Sequence, residues 1–187
     1  MNGPLIYPFG LREVGIVVGA LLLLGHLFAI WRGADCRKWL REFPRSFPAG
    51  LVLLVAAGVW SLWLVRTMDL GEFAPARGAL TIGVVAATVL SAQFMREFLA
   101  VRALGMLLML AAEPVLGAAF LRPEASRLLL VVLAYGWIVA GLFWVGMPYL
   151  FRDQINWVVG NARRFQAAAI AGAAYGAAIL AAALTWK

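Results

Sequence analysis

The sequence predicts an all-α integral membrane protein: a six-helix transmembrane bundle built from three helical hairpins. Three observations carry this. Hydrophobic residues make up 64% of the 187-residue chain and charged residues 13%, with a mean hydropathy of +0.90. A soluble domain carries about 25% charged residues and could not hide so much apolar surface from water. The apolar residues fall into six runs near the roughly 20 residues a helix needs to cross about 30 Å of hydrocarbon. The runs are too long and too uniformly apolar for barrel strands, which alternate over about 10 residues. No polar stretch is long enough for a separate soluble domain, so residues 1–187 read as one transmembrane unit.

The first span covers residues 14–31. The stretch before it has no basic start and no small-residue cleavage site, so the span is expected to be retained rather than removed as a signal. Residues 33–48, GADCRKWLREFPRSFP, predict an interfacial helix over 35–43. Trp39 and Phe43 are four apart and share a face, Arg37, Lys38 and Arg41 can reach headgroups, and Pro44 and Pro48 stop the helix. Cys36, the single cysteine, reads as an ordinary reduced thiol. The remaining spans cover residues 47–65, 78–94, 98–121, 128–151 and 165–186. The third is the shortest, and Thr81, Thr88 and Ser91 lie near one stripe of it. The sixth is almost wholly alanine and glycine. Its small-residue ridges, Ala168–Gly172–Gly176 and Ala169–Ala173–Ala177–Ala181, suit close packing against other helices.

Charge sets the expected orientation. The net charge is +7 with a pI near 10.5. The basic residues sit in short connections, where they meet lipid headgroups rather than nucleic acid. Ten basic residues (Arg32, Arg37, Lys38, Arg41, Arg45, Arg96, Arg102, Arg152, Arg163, Arg164) fall at one end and six (Arg12, Arg66, Arg77, Arg122, Arg127, Lys187) at the other. The first end is expected in the cytoplasm, with both termini on the non-cytoplasmic side, as in a bacterial inner-membrane protein. Trp31, Trp39, Trp63, Trp157 and Trp186 lie near span ends, as an aromatic belt would. Trp60, Trp137 and Trp144 lie deeper, where packing is the expected role.

Residues 40–57 and 95–112 resemble each other. At an offset of 55 the pairs Arg41/Arg96, Glu42/Glu97, Phe43/Phe98, Gly50/Gly105, Leu53/Leu108, Ala56/Ala111 and Ala57/Ala112 are identical. Both copies begin at the same predicted end, so a duplication would be a parallel repeat of hairpins. Shared membrane-helix composition accounts for the Leu, Ala and Gly matches but less easily for the Arg-Glu-Phe triplet.

The polar residues inside the spans are the candidate chemistry. Arg102 and Glu113 are eleven apart, so they share a helical face but lie about 16 Å apart along it. Arg102 can snorkel to the edge. Glu113 lies deeper, beside Pro114, whose ring removes a backbone donor. It reads as a proton or cation site, as a polar contact to a partner subunit, or as a carboxyl hydrogen-bonded to a neighbouring helix, with Thr81 and Thr88 as candidate neighbours. His26, the only histidine, shares a face with Gly15 and Gly19. It reads as a packed histidine or, alternatively, as an axial ligand to haem or chlorophyll with glycines making room. No metal-site, phosphate-loop or nucleophile motif is present.

Two functions follow as expectations. The first is a non-catalytic accessory or scaffold subunit of a larger membrane complex, or a homo-oligomer, packing through small-residue and aromatic faces. The second is a small proton- or cation-linked transporter or channel using Glu113.

Overall fold

The computed structural model describes residues 6–186, which fold into eight α-helices with no strand among the described residues. Six are long and apolar enough to cross a membrane: α1 (Leu11–Trp31), α3 (Phe47–Thr67), α4 (Arg77–Phe94), α5 (Leu99–Ala119), α6 (Leu128–Gly146) and α8 (Ala162–Thr185). The remaining two, α2 (Gly33–Glu42) and α7 (Tyr149–Val159), are short and amphipathic. Both lie at the end where α3, α5 and α8 begin. Lys187, counted above with the opposite end, lies outside the described residues.

The helix α2 overlaps the helix expected over 35–43, and the Trp39 and Phe43 rings meet at a tilt of 40° with their centroids 5.2 Å apart. Ser46 then caps α3, its hydroxyl accepting from the Ala49 amide at 3.4 Å. The fifth span is shorter than the expected 128–151. The helix stops at Gly146, and Met147-Pro148 redirects the chain into α7. Phe151, Ile155 and Val159, at steps of four, turn inward from α7, while Asp153, Asn156 and Trp157 stay exposed. Asn161 caps α8, accepting from the Arg163 amide at 2.8 Å.

The bundle is a set of three antiparallel pairs, offset by one span from chain-successive pairing. The pairs are α3 with α4, α5 with α6, and α8 with α1. In addition, α3 packs parallel to α5. Small residues decide these pairs. Gly19 and Gly176 face each other across the α1–α8 seam, where a Cβ on Gly176 would stand 2.6 Å from the Leu23 amide nitrogen. Gly105 and Gly141 do the same between α5 and α6, and Gly50 sits against Ala100 between α3 and α5. Within lipid, helices associate through packing rather than water exclusion, so backbones that can approach closely find each other.

The main core lies where α1, α5, α6 and α8 meet, with Leu130, Ala134, Ile179 and Ala183 fully buried. Trp186 belongs to it. It is buried against Gly15 and Ala183, and its indole N–H donates to Ser126 Oγ at 2.8 Å, so it is a core residue rather than part of the expected belt. A second cluster of Phe43, Ala100, Val101 and Phe151 seals the end under α2 and α7. Trp144 stands edge-on to Phe151 at 4.7 Å there.

Both copies of the repeated segment lead into the neighbouring parallel helices α3 and α5, beginning at the same end. Their local structures differ. Phe43 follows α2 and is buried; Phe98 is left-handed at φ 57° and turns the chain into α5.

Candidate functional site

The least enclosed part of the bundle is the α4 side. No residue of α4 is buried. Its inward stripe of Thr81, Val84, Thr88 and Ser91 rests on α3, where Thr88 packs on Gly58. At its foot the Arg77 guanidinium donates to the carbonyls of Val65, Arg66 and Met68, which α3 leaves unpaired at its C-terminus. Helix α4 is thus an outrigger on α3, and a groove of about 400 Å³ opens between α4 and α5 with α3 as its floor.

The groove is apolar apart from Ser61, Thr88 and Ser91. From α5 it takes Met106, Met109 and Leu110. Arg102, Met106, Met109, Leu110 and Glu113 recur at steps of four, three, one and three, so they occupy one face. Glu113 therefore lies one turn beyond the groove lining, on the same line. It is exposed at the bundle surface, and no hydrogen bond or ion pair among the described residues reaches its carboxylate. Six residues separate it from the end of α5, which is about 9 Å of depth. Pro114 follows it, and without an N–H it leaves the Leu110 carbonyl in the groove wall without its helical donor.

Thr81 and Thr88 do not bring their hydroxyls to Glu113. Each donates to a carbonyl of its own helix at 2.8 Å, Thr81 to Arg77 and Thr88 to Val84. The neighbour that Glu113 does have was invisible in the sequence. Tyr7 leans against the Trp63 ring at 5.3 Å, and Trp60 Nε1 donates to its hydroxyl at 2.6 Å. Burial pushes the Tyr7 hydroxyl above its ordinary pKa, the Trp60 hydrogen bond opposes the rise, and the nearby Glu113 charge adds to it. Glu113 thus sits within electrostatic reach of an aromatic cluster that ties the segment before α1 to the end of α3.

Arg102 does more than snorkel. Its Nη1 donates to the Val145 carbonyl at 2.8 Å and so closes the C-terminus of α6. Three other arginines play the same part. Arg77 serves α3 as described, Arg127 donates to Ala119 of α5 at 2.7 Å, and Arg41 donates to Val159 of α7 at 3.1 Å. Each such cation at a helix C-terminus is worth about 0.3–1 kcal/mol at an exposed site.

His26 lies in the α1–α8 seam with Gly15, Gly19, Gly172 and Gly176. Its Nδ1–H donates to the Leu22 carbonyl at 2.7 Å. That leaves Nε2 as the acceptor, and this edge of the ring abuts Gly172 so closely that a Cβ there would overlap it. The edge that would ligate haem or chlorophyll is therefore against α8. Ala168, at the end of that ridge, is exposed.

No protein family, no curated protein and no solved structure matches the chain.

Proposed function

We propose that this protein is a non-catalytic accessory or scaffold subunit of a larger membrane complex, with a membrane helix of the partner seated in the α3–α4–α5 groove. The observation that carries this is α4, a membrane-length helix that buries none of its own residues and rests chiefly on α3. Such a helix adds little to the stability of its own bundle, and a second protein would give its face the tight packing that holds membrane helices together. Glu113 narrows the partner. A carboxylate near mid-span costs about 3 kcal/mol on insertion scales, less toward the end. The fitting partner segment carries a Lys, an Arg or a neutral hydrogen-bond donor at that depth. On the positive-inside rule the α2–α7 end faces the cytoplasm and both termini face away from it, in the inner membrane of a bacterium.

Photo-crosslinking from Val85 on α4, followed by purification in mild detergent, tests the reading. The expected product is a second membrane protein. A stable lone monomer would overturn it, and a crosslink to another copy of this chain would replace the complex by a homo-oligomer.

Glu113 also supports a second reading, a small proton- or cation-linked transporter or channel, because a carboxylate inside a span has no partner among the described residues. Flux in reconstituted vesicles that survives Glu113→Gln unchanged would rule that out.

A further inference from the structure

We infer that the end bearing α2 and α7 holds a phosphate-binding pocket formed by Arg45, Arg96 and Arg152, which takes the phosphate of a phospholipid headgroup or free phosphate. The three arginines come from distant parts of the chain: the turn before α3, the α4–α5 connection, and α7. They converge on one open pocket of about 510 Å³ whose other lining residues are Glu97 and Phe98. Guanidinium groups stay charged at any physiological pH. Three of them gathered at one pocket repel one another unless an anion lies between them.

The carboxylates nearby do not supply that anion in full. Asp153 pairs with Arg152 at 2.9 Å. No carboxylate among the described residues lies within ion-pair distance of Arg45 or Arg96. Glu97 lines the pocket and offsets one of the three charges and Asp153 offsets a second, so the group keeps an excess of one positive charge.

The arginines are also held in a useful pose. Arg96 lies over the Phe47 ring at 5.7 Å and Arg152 over the Phe98 ring at 5.9 Å. A guanidinium resting on an aromatic face keeps its N–H groups pointing outward in its own plane, so Arg96 can donate in bidentate fashion to phosphate oxygens, while Arg152, whose Nε and Nη2 already donate to Asp153, offers Nη1. Phe98 is in the left-handed region at φ 57°, a conformation that non-glycine residues adopt sparingly and that often marks a binding clamp. It is also the N-cap of α5, and it offers no side-chain cap to that helix. The helices α3 and α5 both begin here and touch at Gly50 and Ala100, so two positive helix ends flank the pocket. This end coincides with the headgroup layer, where phosphate is the abundant anion.

The test uses the full chain in mild detergent. Lipid retention is read by native mass spectrometry and stability by thermal unfolding. The probes are phosphatidylglycerol, a glycosyl diacylglycerol with the same chains but no phosphate, and inorganic phosphate against chloride at equal ionic strength. The expected result is retention of phosphatidylglycerol about tenfold above the glycolipid, lost in Arg96→Gln/Arg152→Gln and kept in Arg163→Gln/Arg164→Gln, which removes equal charge at the same end. A rise in unfolding temperature with inorganic phosphate alone, absent from the pocket variant and without lipid preference, supports the same pocket with free phosphate as its ligand. Equal loss in both double variants, or no response to either phosphate source, overturns the inference. Should the pocket variant not run as a single species, Arg45→Gln replaces it. Arg45 makes no hydrogen bond or ion pair among the described residues, so its loss should lower retention about threefold without unfolding the chain; unchanged retention would overturn the pocket.

Discussion

The α1–α8 seam and the α3–α4 seam join apolar helices of comparable length, and they close very differently. In the first, Gly19 and Gly176 bring backbone to backbone, and a Cβ on Gly19 would stand 2.8 Å from the Leu180 amide nitrogen. Helix α8 buries six residues, among them Ile179 and Ala183. In the second, the close approach is that of one threonine side chain to Gly58, and Gly78 and Gly83 of α4 face open space. An apolar run is enough to place a helix in the bilayer. Matched small residues on two helices are what packs it there.

Gly176→Leu is the substitution expected to break this contrast hardest. The new side chain would enter the space of the Leu23 amide and the Leu22 side chain, where neither can yield, and the loss should be about 3 kcal/mol or more. Gly83→Leu on α4, with nothing within 4 Å, should leave stability within about 0.5 kcal/mol. Unfolding in mixed micelles measures both, and equal losses would mean that α4 packs more tightly than its exposure implies.

The same asymmetry should hold for cavity-forming changes. Ile179 is 0% exposed in the main core, and Ile179→Ala should cost about 2–4 kcal/mol. Ile82 on α4 is 72% exposed, and Ile82→Ala should cost little. In a membrane complex, protection of Ile82 by a bound partner would sharpen the contrast, since the alanine would then weaken association rather than folding.

These two halves were not equally legible. The six spans could be read because bilayer thickness fixes the length of an apolar run. The helix α2 could be read because Trp39 and Phe43 repeat at four. The faces Gly15–Gly19–His26 and Gly172–Gly176 were each readable as packing faces, but nothing in either run says that they meet. That pairing depends on which close approaches are mutually satisfiable in space. Helix α7 merged with the fifth span because Met147, Tyr149, Leu150 and Phe151 are apolar; the break at Met147-Pro148 and the four-residue spacing of Phe151, Ile155 and Val159 were the signal. Glu113 was conspicuous as an acid in an apolar run. Its aromatic neighbour was not, because Tyr7 and Trp60 are 53 residues apart. Arg102 read as a snorkelling cation because the end of α6, which it caps, has no mark in the sequence around it.

Arg77 offers a smaller test of the outrigger. It joins the first turn of α4 to three carbonyls ending α3. Arg77→Gln should cost about 1 kcal/mol, within the range for a cation closing a helix C-terminus. The effect should be local, with amide exchange accelerating in α4 and the end of α3 but not in α1 or α8. Acceleration spread through the whole bundle would show that α4 supports the core after all.

The mildest perturbation concerns Glu113 itself. No group among the described residues compensates its carboxylate, so Glu113→Gln should leave stability unchanged or raise it by up to about 1 kcal/mol. Its clearer trace is on Tyr7. Burial is the largest cause of the raised Tyr7 pKa, with the Trp60 hydrogen bond opposing it and the Glu113 charge adding to it. A nearby negative charge disfavours the phenolate, so removing it should move Tyr7 titration downward, while burial keeps it above the ordinary value near 10. Tyrosinate absorbance across alkaline pH, with Tyr7→Phe subtracted to isolate this residue from the other tyrosines, gives the measurement. An unmoved Tyr7 in Glu113→Gln would mean that the carboxyl is already neutral in the membrane. It would then be a hydrogen-bond donor to the partner helix and not its counter-ion.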